Sequence, residues 1–158
     1  MNKSAIPVQI RALIPTNAGT AVFLGNDEKI FTIYIDQAIG TAISLYLNSV
    51  EKERPLTHDL LASVLTSLGA KVERVVINDF RNGIYFGRLI ITAENELQQR
   101  KIIEIDARSS DCMAMAALQK SPIYVNSLVW DEVEDMTPLL EKLQGDGGDE
   151  AEQPKEEP

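Results

Sequence analysis

The chain has 158 residues, of which 44% are hydrophobic and 25% are charged, and its formal net charge is −9. This composition predicts one packed globular domain and excludes a fibrous or wholly disordered chain. The negative charge argues against a broadly basic surface that would hold a polyanion by counterion release. A lone cysteine, Cys112, excludes an intrachain disulfide. Because no secretory pattern and no run of roughly 18 apolar residues occurs, we expect a cytoplasmic protein without a membrane partner.

The charge is unevenly distributed along the chain. Residues 145–158, GDGGDEAEQPKEEP, contribute −5, and the remaining body contributes −4. This segment has no apolar residue larger than alanine, so it predicts a disordered acidic tail after a folded domain over residues 1–144. Solubilisation is the simpler role for such a tail, and mimicry of nucleic acid is the alternative.

The first half predicts three strands and two helices. Strands over AIPVQIRALI and TAVFLG are separated by turn signals, and IFTIYID alternates with Phe31, Ile33 and Ile35 on one face. A helix follows whose apolar stripe comprises Ile39, Ala42, Ile43, Tyr46 and Leu47. A second helix, THDLLASVLTSL, has leucine and valine at helical spacing, and Gly69 is placed to end it.

The second half predicts a similar order. Asn82-Gly83 indicates a hairpin between KVERVVIND and IYFGRLIITA, and KIIEID alternates as a third strand. The helix DCMAMAALQK predicts close packing against the sheet, with Cys112 as a small buried residue. A short strand PIYV, a helical segment SLVWDEVEDM and a helix from Thr137 complete the body. Trp130 is interpreted as core or dimer interface, with base stacking as the alternative.

These elements predict an α+β class with a mixed sheet in a compact single domain. Residues 33–47, IYIDQAIGTAISLYL, align without a gap to residues 103–117, IEIDARSSDCMAMAA. We therefore predict two related halves, about 6–69 and 70–136, plus a C-terminal helix.

The only histidine, His58, lies in ERPLTHDLL at the predicted start of a helix. Pro55 disfavours helix before it, Thr57 is a good N-cap, and Asp59 in the first turn opposes the helix dipole. Capping explains these three residues but leaves His58 unexplained. Because a helix N-terminus disfavours a protonated imidazole, His58 is expected to stay neutral near pH 7, which suits a general base.

A second cluster, DARSSD, lies where the strand KIIEID meets the next helix. Ser109 or Ser110 is the predicted N-cap, with Asp111 in the first turn and Arg108 just ahead. Two helix N-termini, each preceded by an arginine, offer donors to an anionic oxygen such as phosphate. Two ordinary caps with a structural Arg–Asp pair are the alternative.

The hypothesis drawn from both clusters is phosphodiester hydrolysis, with His58 as base and Asp59 or Asp111 orienting it or binding Mg²⁺. Candidates for binding substrate phosphate are Arg54, Thr57, Arg108 and Ser110. Candidates for Mg²⁺ ligands are Asp59, Glu104, Asp106 and Asp111. A solvent-facing polar row accounts for Glu104 and Asp106 equally simply. The hypothesis requires the two clusters to meet, within one chain or across a dimer.

The motifs RPLTHDLL, DARSSDCMAMA and SPIYV resemble those of the bifunctional nuclease domain family over most of residues 8–136. The second motif has Ser109 where the family usually has proline, and Cys112-Met113 where it usually has alanine-isoleucine. In the first half the family favours a glycine and an acid where this chain has Asp36 and Ile39, so no role of that acid transfers. The resemblance implies a duplicated α+β fold, frequent dimerisation and nuclease activity on DNA and RNA. A non-enzymatic dimeric anion-binding or regulatory module is the alternative function.

Overall fold

The computed structural model describes residues 4–149, which form a seven-stranded mixed sheet and five helices. The strand order is β3-β2-β1-β7-β4-β5-β6. The strands are β1 (Ala5–Thr16), β2 (Gly19–Gly25), β3 (Ile30–Ile35), β4 (Ala70–Arg81), β5 (Ile84–Glu94), β6 (Arg100–Arg108) and β7 (Ile123–Asn126). The helices are α1 (Gln37–Leu47), α2 (Thr57–Ser67), α3 (Ser109–Gln119), α4 (Ser127–Glu132) and α5 (Thr137–Asp149). The predicted α+β class is confirmed.

Each half presents three antiparallel strands followed by a helix, as the sequence predicts. β7 joins the halves, because it pairs antiparallel with β1 and parallel with β4. Asn82 and Gly83 both have positive φ at the hairpin between β4 and β5, as the turn signal requires. The shared element order is consistent with two related halves, and their common origin stays a prediction.

The alternating pattern of β3 correctly predicts which of its faces is buried in the core. Phe31, Ile33 and Ile35 are buried, and α1 covers the same core with Ala42, Ile43 and Tyr46. Leu47, the last member of the predicted α1 stripe, is nearly half exposed. In α3 the predicted close packing is confirmed, since its buried face includes Cys112, Met113 and Met115.

The sheet curls until its β3 edge faces β5. The Phe31 ring of β3 lies 5.7 Å from the Tyr85 ring of β5, although four strands separate β3 from β5 in the sheet order. Phe31 also packs edge-on against Trp130 at 6.2 Å between ring centroids. Trp130 is therefore a core residue, as predicted, and the alternative of base stacking does not fit its buried position. A bulge in β1 between Ile10 and Ala12 assists the change of direction.

Several predicted boundaries need correction. α2 begins at Thr57 with Leu56 as N-cap, and α3 begins at Ser109 with Arg108 as N-cap. The predicted hydroxyl caps therefore lie one residue too late in α2 and one or two residues too late in α3. Neither N-cap side chain accepts a hydrogen bond from its helix. The acid in each first turn partly compensates for this by its favourable interaction with the helix dipole. α5 extends to Asp149, five residues into the predicted tail. The remainder of that tail, 150–158, lies outside the described residues.

α2 differs from the other sheet-facing helices because none of its residues is fully buried. Ala62 and Leu65 pack partly on the core, whereas Leu60, Val64 and Leu68 lie on an exposed apolar stripe. The i, i+4, i+8 spacing that predicts this helix thus marks its outer face. In the described part of the chain, no helix combines the length and apolar character that a bilayer span requires.

Gly87 of β5 gives α3 its close approach to the sheet. A methyl group at residue 87 would lie 2.5 Å from Cys112 Sγ and 3.3 Å from the Ala107 carbonyl oxygen. We expect Gly87→Ala to lower the free energy of unfolding by about 1–3 kcal/mol because the helix must shift. Urea unfolding measures this change. In Gly87→Ala/Cys112→Ala the sulfur is absent, so the double variant should lose less than the sum of the single losses; strict additivity would contradict the proposed contact.

Candidate functional site

Two predicted site residues, His58 and Arg108, contact the carboxylate of a third, Asp111. His58 Nε2 lies 2.9 Å from Asp111 Oδ1. Arg108 donates from Nε to Asp111 Oδ2 at 3.0 Å and from Nη2 to Asp111 Oδ1 at 3.3 Å. One residue of the first sequence cluster, His58, thus meets two residues of the second, Arg108 and Asp111, within a single chain, although His58 and Asp111 are 53 positions apart.

The local structure explains how these side chains meet. His58 is the second residue of α2, Asp111 is the third residue of α3, and Arg108 ends β6 directly before α3. α2 packs beside α3, so the first turns of the two helices lie together. Only 12% of the His58 side chain is exposed, whereas Arg108 lies mostly in solvent. The site thus has a shielded imidazole beside an accessible cation.

Asp111 is ionised near neutral pH. Burial raises the pKa of its carboxyl group, but hydrogen bonds and charge from Arg108 and His58 outweigh burial and hold that pKa below its usual range. An ionised carboxylate only accepts hydrogen bonds, so His58 Nε2 must carry the shared hydrogen. In the tautomer that carries its hydrogen on Nε2, Nδ1 is unprotonated, and Nδ1 makes no hydrogen bond to another residue of the described range 4–149. An unprotonated imidazole nitrogen is a group that can accept a proton.

Arg108 keeps part of its donor capacity. The hydrogen bonds to Asp111, followed by its charge, raise the pKa of Arg108, so the guanidinium stays charged. Its Nε and Nη2 donate to Asp111, whereas Nη1 has no partner within residues 4–149. A guanidinium has five N–H donors, so Arg108 can hold Asp111 and an anionic oxygen together.

Asp59 lies in a separate cluster. Its Oδ2 accepts from the Leu56 backbone N–H at 2.8 Å and from the Tyr46 hydroxyl at 3.2 Å, and its Oδ1 lies 3.4 Å from Lys52 Nζ. Burial, followed by the charge of Asp59, raises the pKa of Tyr46 to about 12. These contacts tie the loop before α2 to α1. The Asp59 carboxylate is thus engaged with its own helix start and makes no contact with the imidazole.

The other predicted site residues do not contact the Asp111 carboxylate through a hydrogen bond of the described range. Arg54 and Thr57 are exposed and make no side-chain hydrogen bond to the described residues, so the structure does not link them to Asp111. Glu104 and Asp106 are exposed on the edge strand β6, as the solvent-facing alternative states. Ser110 is buried at the start of α3.

The candidate carboxylates do not form a dedicated metal cage. Within residues 4–149 no three side chains of histidine, cysteine, aspartate or glutamate are grouped for one ion. Mg²⁺ in phosphate sites is commonly held by one or two carboxylates with substrate phosphates, and Asp111 is the candidate nearest the proposed base. Because its oxygens already accept from Arg108 and His58, the described ligand set fits Mg²⁺ poorly.

Cys112, next to Asp111, is not suited to nucleophilic chemistry. It is completely buried against Gly87, and burial raises the pKa of its thiol to about 12. A protonated, inaccessible thiol is a packing group, as predicted.

A cleft of about 420 Å³ adjoins the site. The end of β3, the turn between β4 and β5, and the start of α3 line it, and Arg108 belongs to both the cleft and the carboxylate cluster. Sequence analysis missed this cleft because the curl of the sheet creates it. A signal was present in Tyr34, an aromatic residue on the polar side of the alternating strand β3.

Comparisons with known proteins agree with the motifs that form the site. The family model described as bifunctional nuclease domain matches residues 22–137, which include His58, Arg108 and Asp111. Two uncharacterized proteins of Mycobacterium tuberculosis, from strains CDC 1551 / Oshkosh and ATCC 25618 / H37Rv, are each 35% identical over 104 residues. The matched region covers 66% of this chain, and the chain spans 58% of the length of each relative. Since the family model matches well over half of the chain, the chain belongs to the bifunctional nuclease domain family.

Proposed function

We propose that the chain is a nuclease that hydrolyses phosphodiester bonds in DNA and RNA, with His58 as general base. The observation that supports this most is the 2.9 Å contact between His58 Nε2 and Asp111, which leaves Nδ1 of the neutral imidazole without a hydrogen, while the Arg108 guanidinium bonds to the same carboxylate. A general base can activate the attacking water, and a cation can stabilise the charge on the phosphate oxygens. Membership of the nuclease-domain family supports the same class of substrate.

In the proposed reaction, Nδ1 of His58 takes a proton from a water molecule. The water oxygen forms a bond to phosphorus, and the bond from phosphorus to the leaving oxygen breaks, with its electron pair going to that oxygen. Solvent protonates the leaving oxygen, and His58 returns its proton to solvent. Asp111 orients the imidazole and stabilises its protonated form, while Arg108 binds the phosphate oxygens. No step requires a second histidine, which one chain lacks.

One observation favours the alternative of a non-enzymatic anion-binding or regulatory module. Asp111 already accepts two hydrogen bonds from Arg108 and thereby offsets its charge, as a purely structural ion pair would. Such a module would bind a phosphorylated ligand weakly at Arg108 without cleaving it. Turnover by the wild-type chain distinguishes the two functions.

We also propose that the protein acts in the cytoplasm as a homodimer that pairs through α2. The exposed apolar stripe of Leu60, Val64 and Leu68 runs the length of this helix, and Leu61 adds to it. A stripe of this kind is self-complementary when two copies pack antiparallel about a twofold axis. The free, fully buried Cys112 is compatible with a reducing compartment.

We expect His58→Ala to lower cleavage of single-stranded RNA and DNA by about 10²–10⁴-fold, the usual contribution of a general base. Asp111→Asn should cause a loss of similar order, because an amide no longer fixes the imidazole tautomer. The measurement is the single-turnover rate on labelled oligonucleotides with folding checked by circular dichroism.

Asp59→Asn is the matched control, since Asp59 and Asp111 are both the third residue of their helices. The change should lower the unfolding temperature by loosening the loop before α2 and leave the rate per folded molecule close to wild type. Cleavage that persists unchanged in both His58→Ala and Asp111→Asn would contradict the proposed function.

For the dimer, we expect Leu60→Lys/Val64→Lys to shift the mass in light scattering from dimer to monomer, because it places charges on the apolar stripe. Leu128→Lys is the control: Leu128 is 67% exposed and Leu60 59%, but Leu128 lies on α4. A monomeric wild-type protein, or a dimer in both variants, would contradict pairing through α2.

A further inference from the structure

We infer that the cleft beside Arg108 accepts a nucleobase of a single-stranded nucleic acid, next to the phosphate that Arg108 binds. This inference rests on the proposed function and adds to it the part of the substrate that is recognised. The cleft volume of about 420 Å³ lies within the range of roughly 300–1,000 Å³ typical of small-molecule sites.

The apolar lining of the cleft suits a flat aromatic group. Tyr85 is half buried and held in place by the Phe80 ring, with which it stacks at 4.3 Å between centroids. Tyr34, from the facing edge strand, is 69% exposed, and Ile84 beside Tyr85 is 59% exposed. Exposed aromatic and aliphatic side chains around a cleft favour ligands with a π-face, and every base has one.

The polar lining contains hydroxyl groups without protein partners. Ser109 and Ser110 are each only 8% exposed, and neither side chain makes a hydrogen bond to another residue in the range 4–149. Thr32 lines the same cleft, and its Oγ1 is buried without a partner. Among the described residues that line the cleft, Thr32 Oγ1 is the hydroxyl that is both buried and without a partner. An unsatisfied buried hydroxyl costs free energy, so it points to a ligand that carries both donors and acceptors. The edges of nucleobases carry both.

The cleft is continuous with the proposed catalytic site. Arg108 lines the cleft and bonds to Asp111, which in turn contacts His58. Ser109 and Ser110 form the first turn of α3, whose backbone N–H groups favour an anionic oxygen at the same end. A phosphate at Arg108 would therefore have its attached nucleoside within reach of the cleft.

The charge of the protein supports recognition through the base. The chain has a net charge of −9, and Asp36 lines the cleft, so counterion release supplies little affinity. Stacking on Tyr34 and Tyr85 does not depend on a basic surface, and the Asp36 carboxylate can accept from an exocyclic amino group. Binding should therefore depend only weakly on salt concentration.

The test compares a short single-stranded oligonucleotide with an abasic strand of the same length, by fluorescence anisotropy on the full chain carrying His58→Ala. The base-bearing strand should bind about tenfold more tightly, which corresponds to one stacked base. Adding Tyr34→Ala should abolish that preference, and Tyr34→Phe should retain it. Leu128→Ala, outside the cleft, should leave it unchanged. Because Tyr34 is exposed, its substitution should not unfold the chain.

The outcomes separate this inference from the proposed function. Equal binding of the two strands, or a preference that survives Tyr34→Ala, would overturn the base-accepting cleft even where cleavage depends on His58. A preference that requires the Tyr34 ring, in a protein that cleaves nothing, would uphold the cleft and remove the nuclease proposal.

Discussion

The candidate site depends on the carboxylate of Asp111, which accepts hydrogen bonds from two side chains on different elements. Asp111 receives His58 from α2 and Arg108 from the end of β6, and it belongs to α3, which is buried against the sheet. α2 has no fully buried residue, so its position depends on this polar contact, on the Asp59 contacts at its start and on the partial packing of Ala62 and Leu65. The same bond that holds α2 in position also sets the tautomer of the only histidine.

Two aspartates at equivalent helix positions illustrate how neighbours decide what a residue does. Asp59 and Asp111 are each the third residue of a helix, where a carboxylate is favoured by the helix dipole. Asp59 turns back to its own helix start and is surrounded by Tyr46 and Lys52, so its oxygens are occupied by structural partners. Asp111 turns outward, where an imidazole and a guanidinium meet it. The difference lies partly in the residue three positions earlier, Leu56 or Arg108, and partly in the tertiary contacts that each carboxylate makes.

Much of the fold, and the residues of the candidate site, could be predicted from the sequence because local patterns determine them. Alternation identified the buried face of β3, and Asn82-Gly83 identified the hairpin. The two clusters at helix starts contained the three residues that meet, His58, Arg108 and Asp111, but also Arg54 and Asp59, which do not join them. The N-caps were wrong by one or two residues, because Leu56 and Arg108 take extended conformations that the hydroxyl preference does not reveal. The outward face of α2 was not recognisable, since apolar spacing is the same for a core and for an unpartnered surface.

The cleft required the three-dimensional structure, because it exists only where the curled sheet brings β3 towards β5. Tyr34 and Tyr85 are far apart in sequence and in strand order, so no spacing rule connects them. Their placement beside Arg108 puts the proposed base contact next to the proposed phosphate contact, and Arg108 shares the Asp111 carboxylate with His58.

The ¹⁵N chemical shifts of the imidazole test the central claim most directly, because His58 is the only histidine and a histidine-labelled sample gives one pair of signals. For the neutral imidazole, the account predicts a protonated Nε2 and an unprotonated Nδ1, with the preference lost in Asp111→Asn. A protonated Nδ1 with an unprotonated Nε2, or the same pair of shifts in both proteins, would contradict it.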